Sequence, residues 1–197
     1  MTSFPNSANL VEEFRAVILE GAEEILGLDE ARGLFEQAQT RVKHEAEPGL
    51  HRELLHVHEM MEKEYGQAAA QGLALRVGRA GFRKGLKRWG DEAGLMDVSF
   101  RLLPSGKRIW TGLTRIAEAL GEKTGLPVEV GRADGQWTMR FDRDRLSVAP
   151  LCPLIAGTLQ EFTSWAGSGR VYRVREVECA ADGAEHCLFT IDMKPLD

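Results

Sequence analysis

The hydrophobic period of this chain changes once, and that change bounds what it can fold into. Up to about residue 122 the apolar residues recur at helical spacing; beyond Val128 they alternate. Leu10, Phe14, Val17, Ile18, Ala22 and Ile25 fall on one face of a helix stopped by Gly27. Asp29 then caps a second helix with Leu34, Phe35, Ala38 and Val42 on its inner face. Residues 45–49 read as a loop, residues 51–89 as a long helical region broken or bent near Gly66, and residues 109–122 as a further helix. Next, Val128 and Val130 alternate, and Trp137, Met139 and Phe141 point one way while Thr138 and Arg140 point the other. Residues 133–135 close that hairpin, and residues 145–148 form a short third strand. A helix over residues 153–165 precedes two last strands, 171–179 and 187–193, with Asp182 and Gly183 as the turn. Helices first, then helix and antiparallel strands mixed, make an α+β fold: N-terminal helices, an antiparallel sheet packed on helices, and a C-terminal hairpin. We divide it into a helical extension over residues 1–65, serving dimerisation or as a lid, and a main domain over 66–197, in one compact unit.

Composition narrows the function classes. A net charge of -5 and a pI near 5.6 argue against nucleic acid as a partner, because phosphate binding needs clustered positive charge. No stretch approaches the ~20 apolar residues that span a bilayer, and no secretory signal is visible, so a cytoplasmic protein is expected. The apolar faces of residues 9–42, with Leu10, Phe14, Leu34 and Phe35, predict a homodimer. Ala68–Ala70, Gly72, Ala74, Gly78, Ala80, Gly81 and Gly85 are many small residues for one helix; they allow close approach of a neighbour or a ligand. Arg76, Arg79, Arg83 and Lys87 form a basic stripe that reads as a solvated face. His51, His56 and His58 sit close together with His44 upstream; His56 and His58, two apart, fall on different faces of a helix, which argues against a shared metal and leaves haem or cobalt ligation by one of these histidines as the minor alternative. No G-x-S-x-G, H-E-x-x-H, Walker loop or dinucleotide fingerprint marks a reaction.

The cysteines carry the sharpest chemistry. Cys179 and Cys187 sit at the two ends of a loop closing two strands, and Cys152 stands at a helix start. Thiolates suit zinc, and three of them with one carboxylate leave no open coordination position, so such a zinc is structural. Glu176, three residues before Cys179, needs a bulge or a strand twist to join them, since strict alternation puts the two on opposite faces. His186 is the rival fourth ligand, and buried thiols filling the inner strand face are the plain alternative.

The segments LCPLIAGTLQEF and RVYRVREVECAADGAEHCLFTI, with the earlier GRAGFRKGLKRWG, resemble the 4-vinyl-reductase domain family over roughly residues 70–193. That resemblance implies a ligand-binding fold related to sensor domains of aromatic-responsive bacterial activators and to trafficking-complex subunits that hold an acyl chain. It implies zinc on Cys152, Glu176, Cys179 and Cys187. It also implies a small hydrophobic ligand, sensed or carried, with an enzyme or accessory of tetrapyrrole vinyl reduction and a protein-interaction module as alternatives. A reductase would need a hydride source, and no flavin or nicotinamide fingerprint is present, so catalysis is the less favoured reading. From the residues themselves, Phe82, Trp110, Trp137, Met139, Phe141 and Tyr172 are the candidate walls of an apolar cavity between the glycine-rich helix and the Trp137 strand. Arg79 and Arg83 are placed at its mouth to meet a carboxylate.

Overall fold

The computed structural model of the chain describes residues 7–45, 49–124, 127–142 and 151–196. Seven helices and four strands follow one another: α1 (Ser7–Leu26), α2 (Leu28–Val42), α3 (Leu50–Tyr65), α4 (Gln67–Trp89), α5 (Val98–Arg101), α6 (Ser105–Thr124), β1 (Val128–Ala133), β2 (Gln136–Asp142), α7 (Leu151–Ala166), β3 (Val174–Glu178) and β4 (His186–Asp192). The α+β expectation holds. The strand expected at residues 145–148 lies outside the described residues.

Local chemistry accounts for most boundaries. Gly66, at φ 83°, both ends α3 and starts α4, a backbone position that side-chain-bearing residues rarely adopt. Asp134 and Gly135 both take positive φ, 50° and 75°, and so close the β1–β2 hairpin as a tight primed turn. The second helix begins two residues earlier than an Asp29 cap implies, with Gly27 at its cap. Helix α7 starts at Leu151, so Cys152 lies inside its first turn rather than before it.

The sheet is antiparallel with order β1-β2-β4-β3. In register, Trp137 pairs with Ile191, Met139 with Phe189 and Phe141 with Cys187. All six side chains are buried on the face that α6 and α7 cover, with Ile109, Leu113, Leu159 and Phe162 opposite. Burying a side chain the size of Phe162 or Phe189 contributes about 2 kcal/mol, so this layer is the main hydrophobic store of the fold.

A second core joins α1–α4 to the start of α7, through Leu34, Phe35, Val57, Met61, Ala74, Val77 and Leu151. Leu34 and Phe35 are buried there, and Phe14 packs on Trp89 with ring centroids 4.7 Å apart. Of the side chains on which a dimer was expected, Phe14, Leu34 and Phe35 thus pack within the chain, and that of Leu10 lies outside the described residues. Among the described residues no helix is long and apolar enough to cross a membrane.

Candidate functional site: an apolar cavity and a thiol cluster

Helices α4 and α7 cross in contact because both carry glycine at the crossing. A Cβ on Gly78 would overlap the carbonyl of Leu154, and a Cβ on Gly157 that of Leu75. Farther along α4 the glycines do something else. Gly81 and Gly85 do not meet α7; they line a cavity of about 860 Å³ bounded by α1, α4, α6 and α7. Phe14, Val17 and Ile18 of α1 form one wall, Phe82, Leu86 and Trp89 of α4 another, and Ile116, Ala119 and Leu120 of α6 a third. The volume falls within the range of small-molecule pockets, ~300–1,000 Å³, and the walls are apolar as such pockets are.

Polar groups along the lining are few. Thr158 donates its hydroxyl to the carbonyls of Leu154 (3.0 Å) and Gly78 (3.2 Å), so it offers little to a ligand. Glu92 and Glu122 are exposed and are the charged side chains among the described lining residues. The indole N–H of Trp89 donates to Glu13 at 3.0 Å, tying α1 to the far end of α4.

Of the residues expected to touch a ligand, only Phe82 lines this cavity. Trp137, Met139, Phe141 and Tyr172 are buried in the sheet–helix core, and Trp110 packs against it with the Arg132 guanidinium 4.0 Å over its ring. The cavity opens between α4 and α1, not between α4 and the Trp137 strand. Arg79 donates to Gln160, and Arg83 pairs with Glu24 at 2.5 Å and Glu161 at 3.1 Å. Lys84 joins Glu24, and Arg88 joins Glu20, so of the basic stripe Arg83 is answered by acids of α1 and α7, as are the neighbouring Lys84 and Arg88 by acids of α1. The carboxyl of Glu24 is held below the usual carboxylate range by hydrogen bonds from Lys84 and Arg83. Sequence patterning missed Phe14, Ile18, Leu86, Ile116 and Leu120 as cavity walls, because a cavity wall and a core face have the same helical period.

The thiols do come together. Cys152 of α7 lies 3.6 Å from Cys187 of β4 and 3.7 Å from Cys179, sulfur to sulfur. The backbone N–H of Ala180 donates to the Cys187 sulfur at 3.3 Å. With a carboxylate oxygen of Glu176, the ligand atoms all lie within 4.8 Å of one another; among the described residues this is the one group placed to share a metal ion. The bulge that Glu176 needs is present: Glu176 pairs with Phe189 but Glu178 with Leu188, leaving Val177 as the extra residue. His186 is turned away, its Nε2 2.8 Å from Glu178. Burial, then the neighbouring Glu176 carboxylate, pushes the Cys152 and Cys179 thiols up.

No family model and no curated protein matches the chain. Solved structures do. An H-NOX protein from S. oneidensis in the Fe(II)NO ligation state is 13% identical, with TM-score 0.61 over 89% of this chain and 97% of that one. An NMR structure of an H-NOX domain from Shewanella oneidensis in the Fe(II)CO ligation state gives 15% identity and TM-score 0.62, over 90% and 97%. A T. Tengcongensis H-NOX mutant gives 12% identity and TM-score 0.55, over 98% and 100%. The chain therefore has the H-NOX fold along nearly its whole length, and the identities carry the likeness no further than the fold.

This corrects two expectations. The neighbours are H-NOX proteins, so the resemblance to the 4-vinyl-reductase family does not stand. The structural zinc falls with it, since neighbouring structures are described by iron ligation and by haem, not by zinc. The tetrapyrrole-enzyme alternative came from the same resemblance and loses its ground too. What remains at the cysteines is the geometry of the cluster.

Proposed function

We propose that this chain is a small-molecule-binding domain, a sensor or carrier, that holds one uncharged apolar molecule in the cavity between α1, α4, α6 and α7. The observation that carries the reading is the 860 Å³ cavity itself, lined by Gly81 and Gly85 and by apolar side chains of four helices. Apolar walls supply affinity through surface removed from water, ~25 cal/mol per Å². The rim carboxylates Glu92 and Glu122 disfavour an anion. Helix α1 closes one side, which suits the lid role for the N-terminal extension: a ligand touching Phe14 and Ile18 favours the arrangement in which α1 is docked.

Haem, which neighbouring structures are described as containing, does not fit this cavity. Iron takes an axial His, Cys, Met or Tyr, and none of these is among the lining residues. The histidines lie elsewhere, on or beside α2 and α3 and on β4. Among the described lining residues no lysine or arginine is present to meet propionates. The test is a pair of titrations. N-phenyl-1-naphthylamine, a neutral apolar dye, is expected to bind saturably, while haemin gives no spectrum of a protein-ligated iron. A ligated-haem spectrum, or a dye that never saturates, overturns the reading.

A further inference from the structure

Ile18 of α1, Val77 of α4 and Leu154 of α7 line two spaces at once: the large cavity and a smaller one of about 30 Å³ beside it. The smaller space is apolar except for one side chain, His58 of α3. His58 is 8% exposed, and its Nδ1 has no hydrogen-bond partner among the described residues. Leaving a buried polar atom unpaired costs ~1–3 kcal/mol, so such an atom calls for an occupant.

The other ring nitrogen fixes what that occupant must offer. Nε2 lies 3.3 Å from Oε1 of Glu62, one helical turn on. An ionised carboxylate only accepts, so Nε2 carries the hydrogen and Nδ1 of the neutral ring presents a lone pair. Burial holds this histidine below its ordinary pKa, against the opposing pull of Glu62, which keeps the ring neutral. Nδ1 is therefore an acceptor on the polar side chain that lines a space with room for about one polar atom, and an occupant meets it only as the lining side chains give way.

We infer that the cavity's ligand is an apolar molecule carrying one hydroxyl, which reaches between Ile18, Val77 and Leu154 to donate a hydrogen bond to Nδ1 of His58. The inference rests on the proposed cavity function and names its ligand class. An anion would meet the Nδ1 lone pair as well as the rim carboxylates. A carbonyl or an ether brings no hydrogen to donate. An ammonium group would give up its hydration for a single neutral acceptor.

The experiment compares decanol, its isomer methyl nonyl ether, and decane as displacers of N-phenyl-1-naphthylamine from the full chain. Decanol is expected to bind at least tenfold more tightly than the ether, ~1.4 kcal/mol. In His58→Leu that advantage should vanish while decane binds as before. Equal affinities of alcohol and ether in the wild-type protein overturn the inference, and are the result expected if a single water satisfies Nδ1. Should His58→Leu fail to fold, the wild-type comparison alone decides. If the dye binds and all three compounds displace it equally, the hydroxyl is wrong and the cavity reading stands. If neither dye nor displacers bind, the cavity reading fails and the inference falls with it.

Discussion

Gly157 of α7 lies so close to the carbonyl of Leu75 in α4 that a Cβ at 157 would overlap the oxygen. Backbone oxygens on a packed helix cannot step aside as a flexible side chain can. Gly157→Ala is therefore expected to cost ~3 kcal/mol, the upper range for overpacking, or to prevent folding. Gly78→Ala, against Leu154, should behave alike. Gly72→Ala sits on the same helix α4 with open space around it and should instead gain ~1 kcal/mol of helix propensity. Denaturant unfolding of the three variants checks the contrast, and a Gly157→Ala protein as stable as wild type contradicts the packing.

His58 gives stability a pH dependence of predictable sign. Its folded pKa is lowered, first by burial, from a reference of 6.5, so the unfolded chain takes up the proton more readily. The contribution is fully present above about 6.5 and is lost as pH falls from there through the folded value. The melting temperature should decline over that window, and His58→Leu should flatten the decline. Glu45 acts lower on the scale: hydrogen bonds from Arg52 and His56 hold its carboxyl at about 2, against 4.5. Its contribution is lost between those two values, so Arg52→Gln should alter only the acid limb.

The thiols should be slow to alkylate at neutral pH, because Cys179 is raised first by burial and next by Glu176. The thiolate is the reactive form, so the rate rises with pH. Cys179, half-buried, is expected to react with iodoacetamide before the buried Cys152 and Cys187. Glu176→Gln removes the carboxylate and should speed that reaction, as peptide mass spectrometry would show. An unchanged rate means that Glu176 does not face the cluster in solution.

Helices and strands were legible because their periods differ. The Glu176–Cys179 spacing called for a bulge or a strand twist, since three residues of regular strand cannot bring both to one side, and the register shift at Val177 is the bulge. Strand order was not legible: β4 enters between β2 and β3, a pairing set by packing on α6 and α7 rather than by local pattern. The cavity was misplaced for a related reason. Trp137, Met139 and Phe141 show a clean alternating face, which marks burial but says nothing of what lies opposite, and helix core is what lies there. The glycines of α4 were read as room for a neighbour or a ligand, and they divide between the two: Gly78 serves α7, and Gly81 and Gly85 the cavity. The family resemblance rested on a helix and a cysteine-bearing hairpin, whereas the fold is decided by how α1, α4 and α7 cross.

Gly81 offers the most direct test that the cavity binds a molecule. A Cβ there would lie 3.9 Å from the carbonyl oxygen of Val17 and 4.0 Å from its Cγ1, ordinary contact with α1, so a longer side chain takes up space between α4 and α1 where the cavity lies. The measurement is the equilibrium binding of N-phenyl-1-naphthylamine to wild type and Gly81→Leu, with the melting temperature of each followed with and without dye. We expect one saturable site per wild-type chain and a melting temperature that rises on binding, as it must for a ligand that prefers the folded state. In Gly81→Leu we expect affinity reduced at least tenfold in a protein that still melts cooperatively. Equal binding by a folded Gly81→Leu, or no saturable binding by wild type, would contradict the cavity as the functional site.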